Sequence, residues 1–181
     1  TETKIIKMDS FSQSCMKNPK KFIMLVNSYP TSIGTKRDEE DFFLTPCSVM
    51  KKKGFECEYV TLRAQGKKTI ETVLAKDQAY VEYFKGFKIR RFDSTWKLLN
   101  YIRKERAILQ SNLRPWPPTS FSAFLPNTKA IRSFTYYMGS NLPIAIFSAF
   151  MFRRFDLILA VTPYEAEIYR KYRIPMEKIR H

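Results

Sequence analysis

Short, continuous apolar runs alternate with segments of helical periodicity along most of the chain, and this alternation constrains the fold more than any other feature. The strands predicted from these runs fall at residues 21–29, 55–62, 86–92, 107–111, 130–136 and 155–161, and one more strand is expected to start at 177–180. Uninterrupted apolar strands are typical of sheets covered on both faces. Helices between successive strands indicate parallel pairing. We therefore predict an α/β, Rossmann-like three-layer sandwich with a mostly parallel sheet and helices on both faces.

Capping signals place the helices between these strands. Ser94 precedes a helix predicted at 95–106, and Thr162 with Glu165 has capping-box spacing before a helix at 163–172. A helix within 38–53 begins among acidic residues and ends among lysines, and Pro46 is expected to kink it or to mark a second start. Residues 63–84 are predicted to be mainly helical, and residues 142–154 to form a buried helix.

The composition fits one soluble or peripheral domain that meets an anionic partner. The chain has 181 residues, 44% of them hydrophobic, and a formal net charge of +15. A surplus of this size indicates nucleic acid, an anionic membrane surface or a phosphorylated ligand. No apolar run approaches the ~20 residues that span a bilayer. Residues 1–20 are expected to be a flexible tail ahead of a domain at 21–181.

Several kinds of active site find no support in the residue types. The only histidine is His181, so neither a nucleophile–histidine–acid triad nor a histidine-based metal site is expected. The cysteines have no metal-binding spacing and are expected to be free thiols in a reducing compartment: Cys15, Cys47 and Cys57. The sequence contains neither the glycine-rich dinucleotide motif nor a phosphate-binding loop. A self-contained dinucleotide enzyme is therefore a weak interpretation.

The C-terminal segment RFDLILAVTPYEAEIYRKYRIPMEKIRH, residues 154–181, carries the most specific motif. It resembles a recurring segment of family-four retaining glycosyltransferases of the GT-B type, in which an "aDxiiavS" strand precedes a helix and an "giPxxKi" turn. Asp156, Glu165 and the Ile174-Pro175 pair fall in register with that pattern. Thr162 stands where the family usually has serine, and Arg173 where it usually has glycine.

Earlier segments resemble the same family more loosely. YPTSIGTKRDEEDF (residues 29–42) is similar to its first strand-to-helix loop, although Arg37 and Asp38 replace the double glycine. ILQSNLRPWPPTSFSAFL (108–125) resembles a later strand-to-helix step, and KAIRSFTYYMGS (129–140) the next strand. Several relatives have a histidine beside the transferred sugar after that strand, and Tyr137 occupies the corresponding place here.

The resemblance implies that the chain is the N-terminal, acceptor-side domain of a two-domain glycosyltransferase. The full enzyme would move a sugar from a nucleotide-sugar donor to a glycan, a lipid-linked acceptor or a phosphorylated acceptor, with retention of anomeric configuration. The donor site would lie in a C-terminal domain that this chain lacks, so the chain is expected to be inactive alone. We expect no metal and no cofactor in this domain, and a nucleotide-sugar donor in the full enzyme.

Candidate site residues follow the ends of the predicted strands, where open α/β sheets bind ligands. We expect Tyr137 to face the cleft as a tentative catalytic group, and Thr162 and Glu165 to line the space between the two domains. An arginine beside an indole grips phosphate and stacks on sugar rings. The expected substrate contacts are Gly34, Thr35, Arg37, Arg114, Trp116 and Ser140.

Basic clusters suggest a second surface. The resemblance and the charge together favour docking on an anionic membrane through Lys51, Lys52, Lys53, Arg90 and Arg91. We therefore expect a cytoplasmic protein, with peripheral attachment to the inner face of the membrane as the further expectation. Two alternatives stay open. The first is a basic nucleic-acid-binding protein, which the charge supports although the sequence has no known nucleic-acid-binding motif. The second is a non-catalytic interaction domain with the same fold.

Overall fold

One sheet organises the molecule. The computed structural model describes residues 21–26, 37–62, 73–74, 79–105, 107–112, 117–125, 132–135, 150–160 and 162–181. Its strands are β1 (Lys21–Leu25), β2 (Glu56–Leu62), β3 (Val73–Leu74), β4 (Tyr80–Phe84), β5 (Phe87–Phe92), β6 (Ala107–Asn112), β7 (Arg132–Thr135), β8 (Leu157–Leu159) and β9 (Ile179–Arg180). The helices are α1 (Arg37–Lys52), α2 (Thr95–Lys104), α3 (Pro117–Ser122) and α4 (Pro163–Lys171), and residues 150–152 are also helical.

The strand order is β3-β4-β5-β2-β1-β6-β7-β8-β9. Every described pairing is parallel except those that β4 makes with β3 and with β5. The central strand β1 is buried from Phe22 to Leu25, as expected for a strand covered on both sides. The α/β, Rossmann-like fold with a mostly parallel sheet is therefore confirmed.

The antiparallel strand β4 corrects the prediction of a mainly helical stretch at 63–84. Within that stretch the described residues 73–74 and 80–84 are strands. Lys85 (φ 47°) and Gly86 (φ 78°) form a tight turn that joins β4 to β5 as a hairpin. Two successive residues with positive φ give the turn that matches strand twist. Hairpin pairing with β5, the next strand along the chain, thus decides the structure of a segment whose own pattern was ambiguous.

Helix α1 covers one face of the sheet. It packs through Cys47 against Phe22 and Met24 of β1 and Tyr59 of β2. A second helix start at Pro46 is wrong, because α1 is continuous through that proline, and the expected kink there stays a prediction. The helix begins at Arg37 and ends near its lysines, close to the predicted bounds of 38–53.

Helices α2 and α3 lie on the opposite face. Leu98, Leu99 and Ile102 of α2 pack against Ile23 and Leu25, which alternate with the β1 residues that face α1. The Ser94 side chain accepts a hydrogen bond from the Lys97 backbone N–H at 3.3 Å, which confirms the predicted cap. The helix ends at Lys104, two residues before the predicted end.

Helix α4 packs at the β8–β9 side of the sheet through Ala166 and Tyr169. The Thr162 side chain accepts a hydrogen bond from the Glu165 N–H at 3.2 Å, and Pro163 begins the helix, as predicted. The buried helix expected at 142–154 is described only at 150–152, where Met151 and Phe152 are buried but Phe150 is exposed.

The end of α4 explains one resemblance. The Ile174 N–H donates to the Tyr169 carbonyl at 3.1 Å, the Arg173 N–H donates to the Arg170 carbonyl at 2.8 Å, and Arg173 has φ 56°. This bonding pattern is the Schellman motif, whose left-handed residue is most often glycine. Arg173 therefore holds a glycine conformation at the place where the family usually has glycine.

Candidate functional site at the carboxyl edge of the sheet

The order in which the chain adds strands to the sheet reverses at β1. From β1 the chain moves to β2 on one side, and after β5 it returns to β6 on the other side of β1. Leu25, the last residue of β1, pairs with Ser111 near the carboxyl end of β6. Open α/β sheets bind ligands outside the carboxyl ends of the strands at such a reversal. The β1–β6 junction is therefore the place where a ligand site is expected.

Ser111 is the polar side chain that the structure places at this junction. It is fully buried, and within the described part of the chain its Oγ has no hydrogen-bond partner. An unsatisfied buried hydroxyl costs about 1–3 kcal/mol, so such a group in a native protein calls for an explanation. A ligand oxygen that reached this edge would supply the missing partner.

The helix after β6 carries further buried hydroxyl groups. Thr119, Ser120 and Ser122 of α3 are all buried. The Ser122 hydroxyl donates to the Thr119 carbonyl at 2.7 Å, so its role is to satisfy the backbone of its own helix. Ser111 and Ser122 are thus two buried serines in opposite situations: the structure shows a good hydrogen bond for Ser122 and, among the described residues, none for the Ser111 hydroxyl.

Thr162 and Glu165 were predicted to line an interdomain cleft, and the structure separates them. Thr162 is exposed beyond the carboxyl end of β8, whereas Glu165 is fully buried and accepts a hydrogen bond from the Tyr169 hydroxyl at 3.4 Å. The expectation for Glu165 is therefore wrong, because its side chain turns into the core beneath α4. Thr162 caps α4 and lies exposed at the carboxyl edge of the sheet, so its expected place at a cleft stays a prediction.

Most other predicted substrate contacts lie outside the described residues. This holds for Gly34, Thr35, Arg114, Trp116, Tyr137 and Ser140. Arg37 is the first residue of α1. The predicted cleft group Tyr137 and the Arg114–Trp116 pair therefore stay predictions.

A buried ionic cluster occupies the opposite, amino edge of the sheet. Glu58 is fully buried in β2 and is surrounded by three cations: Lys21 at 3.2 Å, Arg90 at 3.7 Å and Lys88 at 3.8 Å. The Tyr101 hydroxyl donates a short hydrogen bond to the same carboxylate. Lys21 also pairs with Glu105, the C-cap of α2, at 3.0 Å. The cluster thus links β1, β2, β5 and α2.

Tyr101 is held neutral in this cluster. Burial raises its pKa well above the ordinary value near 10, and the negative charge of Glu58 and the hydrogen bond to it raise the pKa further. The guanidinium of Arg90 lies 4.7 Å from the centre of the Tyr101 ring. Because ligands of such sheets bind at the opposite edge, we interpret the cluster as a structural joint between the sheet and α2.

Ion pairs with acidic residues of neighbouring strands contradict the prediction that Arg90 and Arg91 belong to an anion-binding surface. Arg90 is paired with Glu58, and the Arg91 Nε donates to Glu82 of β4 at 2.6 Å. The side chains of both arginines are about nine-tenths buried or more, so the expectation that they form an outer surface is wrong. The lysines predicted with them are exposed: Lys51, Lys52 and Lys53.

Two buried cysteines lie between α1 and β2. Cys47 and Cys57 are free thiols. A hydrogen bond from Cys47, helped by the charge of Lys51, lowers the pKa of Cys57, whereas that same hydrogen bond and burial raise the pKa of Cys47. Within the described ranges no three His, Cys, Asp or Glu side chains are arranged to hold a metal ion. Nor is any described helix long and apolar enough to cross a membrane.

Sequence reasoning missed both Ser111 and the Glu58 cluster. Glu58 had a visible signal, since it is a carboxylate at an inward-facing position of an otherwise buried strand. Lys88 and Arg90 alternate on β5 in the same way, which predicts side chains on one face. Ser111 carried no signal of its own, because a serine at a strand end is common.

Comparisons with known proteins bear on the fold. The chain matches no protein-family model and no curated protein sequence. Among solved structures it is similar to the catalytic domain of starch synthase IV from Arabidopsis thaliana bound to ADP and acarbose, with a TM-score of 0.54 and 8% sequence identity. The match covers 88% of this chain and 50% of that one, so this chain spans about half the length of the structure it resembles. The similarity shows that the two proteins share an α/β, Rossmann-like fold.

Proposed function

We propose that this chain is the acceptor-side half of a GT-B glycosyltransferase, which moves a sugar from a nucleotide-sugar donor to an acceptor. The observation that carries the proposal is the reversal of strand order at β1, with the buried hydroxyl of Ser111 at its carboxyl edge. The similarity to half of a starch synthase catalytic domain supports the proposal at the level of fold.

In this proposal the chain contributes one wall of a cleft, and a second domain contributes the other wall and the donor site. The starch synthase structure holds ADP and acarbose, a nucleotide and a carbohydrate. Residues 21–181 would form the acceptor domain, with a flexible tail at 1–20 ahead of it. Catalysis would come mainly from holding donor and acceptor in line and from stabilising the leaving diphosphate with positive groups.

Ser111 would act as a positioning group at the base of the cleft. A hydroxyl that has no partner among the described residues can donate to a sugar or phosphate oxygen without breaking a bond that the structure shows. Such a hydrogen bond contributes about 0.5–1.5 kcal/mol, which corresponds to roughly two- to tenfold in kcat/KM. Arg114, Trp116, Tyr137 and Ser140 remain proposed contacts on the same edge.

The experiment compares two serine variants in the full product of the gene. A panel of nucleotide sugars is supplied with candidate acceptors, and nucleoside diphosphate release is followed. Ser111→Ala should lower kcat/KM about two- to tenfold and leave stability unchanged or slightly higher, because it removes an unsatisfied buried hydroxyl. Ser122→Ala should do the reverse, with a loss of about 1 kcal/mol of stability and unchanged kcat/KM.

The outcomes test the role of Ser111 separately from the transferase activity. Unchanged kcat/KM in Ser111→Ala would remove Ser111 from the site and leave the transferase reading intact. A well-folded full-length product that is inactive with every donor would overturn that reading. The non-catalytic interaction domain or the basic nucleic-acid-binding protein would then be the better account of the same fold and charge.

A further inference from the structure

Two cysteines from different elements meet beneath α1. Cys47 lies in α1 and Cys57 is the second residue of β2, yet both belong to one core cluster, and a hydrogen bond joins their thiols. The Cys47 Sγ also lies 3.9 Å from the Sδ of Met24 on β1. Because the two thiols are already in contact, a bond between them would not require either element to unfold. We call Cys47 and Cys57 the thiol pair.

The two members of the thiol pair differ in their access to water and in their acidity. Cys47 is 0% exposed, whereas Cys57 is 9% exposed and follows the exposed Glu56 at the start of β2. The hydrogen bond that Cys47 donates lowers the pKa of Cys57 against the opposing effect of burial, and the charge of Lys51 lowers it further. That same hydrogen bond and burial raise the pKa of Cys47. A small oxidant therefore meets Cys57 first, and meets it as the more acidic thiol.

Lys51 is held at this corner by contacts of its own. It follows Cys47 by about one helical turn, so the two side chains lie on the same side of α1. Its Nζ donates to the Gly86 carbonyl at 3.4 Å and lies 5.3 Å from the centre of the Phe87 ring. Phe87 belongs to the same core cluster as the thiol pair. A positive charge is thus held close to Cys57, which favours the thiolate form of that side chain.

We propose that the thiol pair is an oxidation site, at which hydrogen peroxide reacts with Cys57 and Cys47 then closes a reversible disulfide between α1 and β2. A thiolate that solvent reaches, with a second thiol beside it to resolve the oxidised product, is the arrangement that redox-sensing cysteines use. In a reducing compartment such a disulfide is transient and forms in response to oxidant. The inference does not depend on the proposed transferase activity.

The reaction balances with hydrogen peroxide as the oxidant. The Cys57 thiolate attacks one peroxide oxygen, the O–O bond breaks, and the hydroxide that leaves takes up a proton, so Cys57 becomes a sulfenic acid. The Cys47 sulfur then attacks the Cys57 sulfur, the S–O bond breaks and the S–S bond forms. The second hydroxide leaves with the Cys47 proton as water. The two thiols together lose two electrons and two protons, and the peroxide is reduced to two waters. A dithiol reductant reverses the reaction by thiol–disulfide exchange.

The disulfide would tie the C-terminal half of α1 to the start of β2. It closes the chain between residues 47 and 57, which restricts the unfolded chain more than the folded one. The oxidised protein should therefore have a Tm about 5 °C higher than the reduced protein. This shift would be reversed by dithiothreitol.

The test is exposure of the reduced 181-residue chain to hydrogen peroxide, followed by blocking of the remaining thiols and digestion with trypsin. Cleavage at residues 51–53 places the two cysteines on separate peptides, residues 38–51 and 54–63. We expect mass spectra without reductant to show these peptides linked, two hydrogens lighter than the free peptides together. Dithiothreitol should separate them. Cys15→Ser is the matched control and should give the same linked pair.

Further variants assign the two roles within the thiol pair. In Cys47→Ala, dimedone should trap Cys57 as a sulfenic acid, and continued peroxide should carry Cys57 on to the sulfinic acid. In Cys57→Ala, Cys47 should be oxidised at least about tenfold more slowly than Cys57 is in Cys47→Ala. Lys51→Gln should slow oxidation of Cys57 about two- to fivefold, because it removes the neighbouring charge. Lys52→Gln removes the same charge one residue further on and should leave the rate unchanged.

Three results would overturn the inference. The first is full alkylation of both thiols when the peroxide-treated protein is unfolded in iodoacetamide. The second is a disulfide from Cys15 to either member of the thiol pair in place of the expected link. The third is formation of the linked peptides in urea but not in the folded protein, which would make the bond a product of unfolding. All three are measured on the unaltered chain, so a variant that fails to fold does not weaken the test.

Discussion

Replacing Glu58 by glutamine should be among the most destabilising single changes in the amino-edge cluster. The carboxylate is fully buried, and its oxygens lie 3.2–3.8 Å from the nitrogens of Lys21, Lys88 and Arg90. Glutamine keeps the shape and can still accept the Tyr101 hydrogen bond, so the change isolates the charge. It leaves three cations facing one another around a neutral amide.

The expected cost follows from the exposure of those cations. Removing one partner of a buried ion pair costs about 3–5 kcal/mol when the other charge has no access to water. Here the side chains of Lys21, Arg90 and Lys88 are 14%, 10% and 28% exposed, so water can solvate part of each charge. We therefore expect the lower end of that range, about 3 kcal/mol, which corresponds to a fall in Tm of roughly 6–12 °C.

Urea denaturation followed by far-ultraviolet circular dichroism at neutral pH measures this cost. Glu56→Gln is the matched control, because Glu56 lies on the same strand but is exposed. It should change the free energy of unfolding by less than about 0.5 kcal/mol. If Glu58→Gln cost less than about 1 kcal/mol, or no more than the control, the cluster would not be the structural joint that we describe.

Three further predictions test other parts of the structure. Because the pKa of Tyr101 is raised in the folded state, the unfolded chain ionises first at alkaline pH, so stability should fall above about pH 10 by up to ~1.4 kcal/mol per pH unit from this group. Tyr101→Phe should lack that one-proton slope in urea titrations at increasing pH, and an identical slope in both proteins would be evidence against the buried phenol. Arg173→Gly should stabilise the protein by about 0.5–1 kcal/mol in thermal unfolding, since glycine adopts φ 56° without strain, whereas Gly54→Ala at φ 86° should destabilise it by about 1 kcal/mol; a loss of stability in Arg173→Gly would contradict the strain argument. Cys57 should be alkylated faster than Cys47 when labelling of each site is followed by mass spectrometry, because its pKa is lowered while that of Cys47 is raised; equal rates would rule out that difference.

Local signals predicted much of the fold. The alternation of apolar runs gave the parallel sheet, and both predicted caps, Ser94 and Thr162, make the expected hydrogen bonds. These features depend on a few neighbouring residues, so they can be predicted from a short stretch of sequence. Arg173 belongs with them, since its position after α4 requires a glycine-like conformation whichever residue stands there.

Features that depend on pairing and packing between elements could not be predicted from the pattern of a single segment. The hairpin strand β4 exists because Tyr80–Phe84 pairs with β5, and a stretch predicted as helix became strand. Arg90 and Arg91 were expected at the surface because the motif is strongly basic, but Glu58 and Glu82 on neighbouring strands hold them inside. Glu165 was expected to line a cleft between domains, yet packing under α4 sets the direction of its side chain.

The most direct test of the central claim is nucleoside diphosphate release by the full product of the gene, measured beside the 181-residue chain with the same panel of nucleotide sugars. If the active site is divided between two domains, the full product should release diphosphate with at least one donor, and the 181-residue chain should release none. Turnover by the 181-residue chain alone, or silence of the folded full product with every donor, would contradict the account.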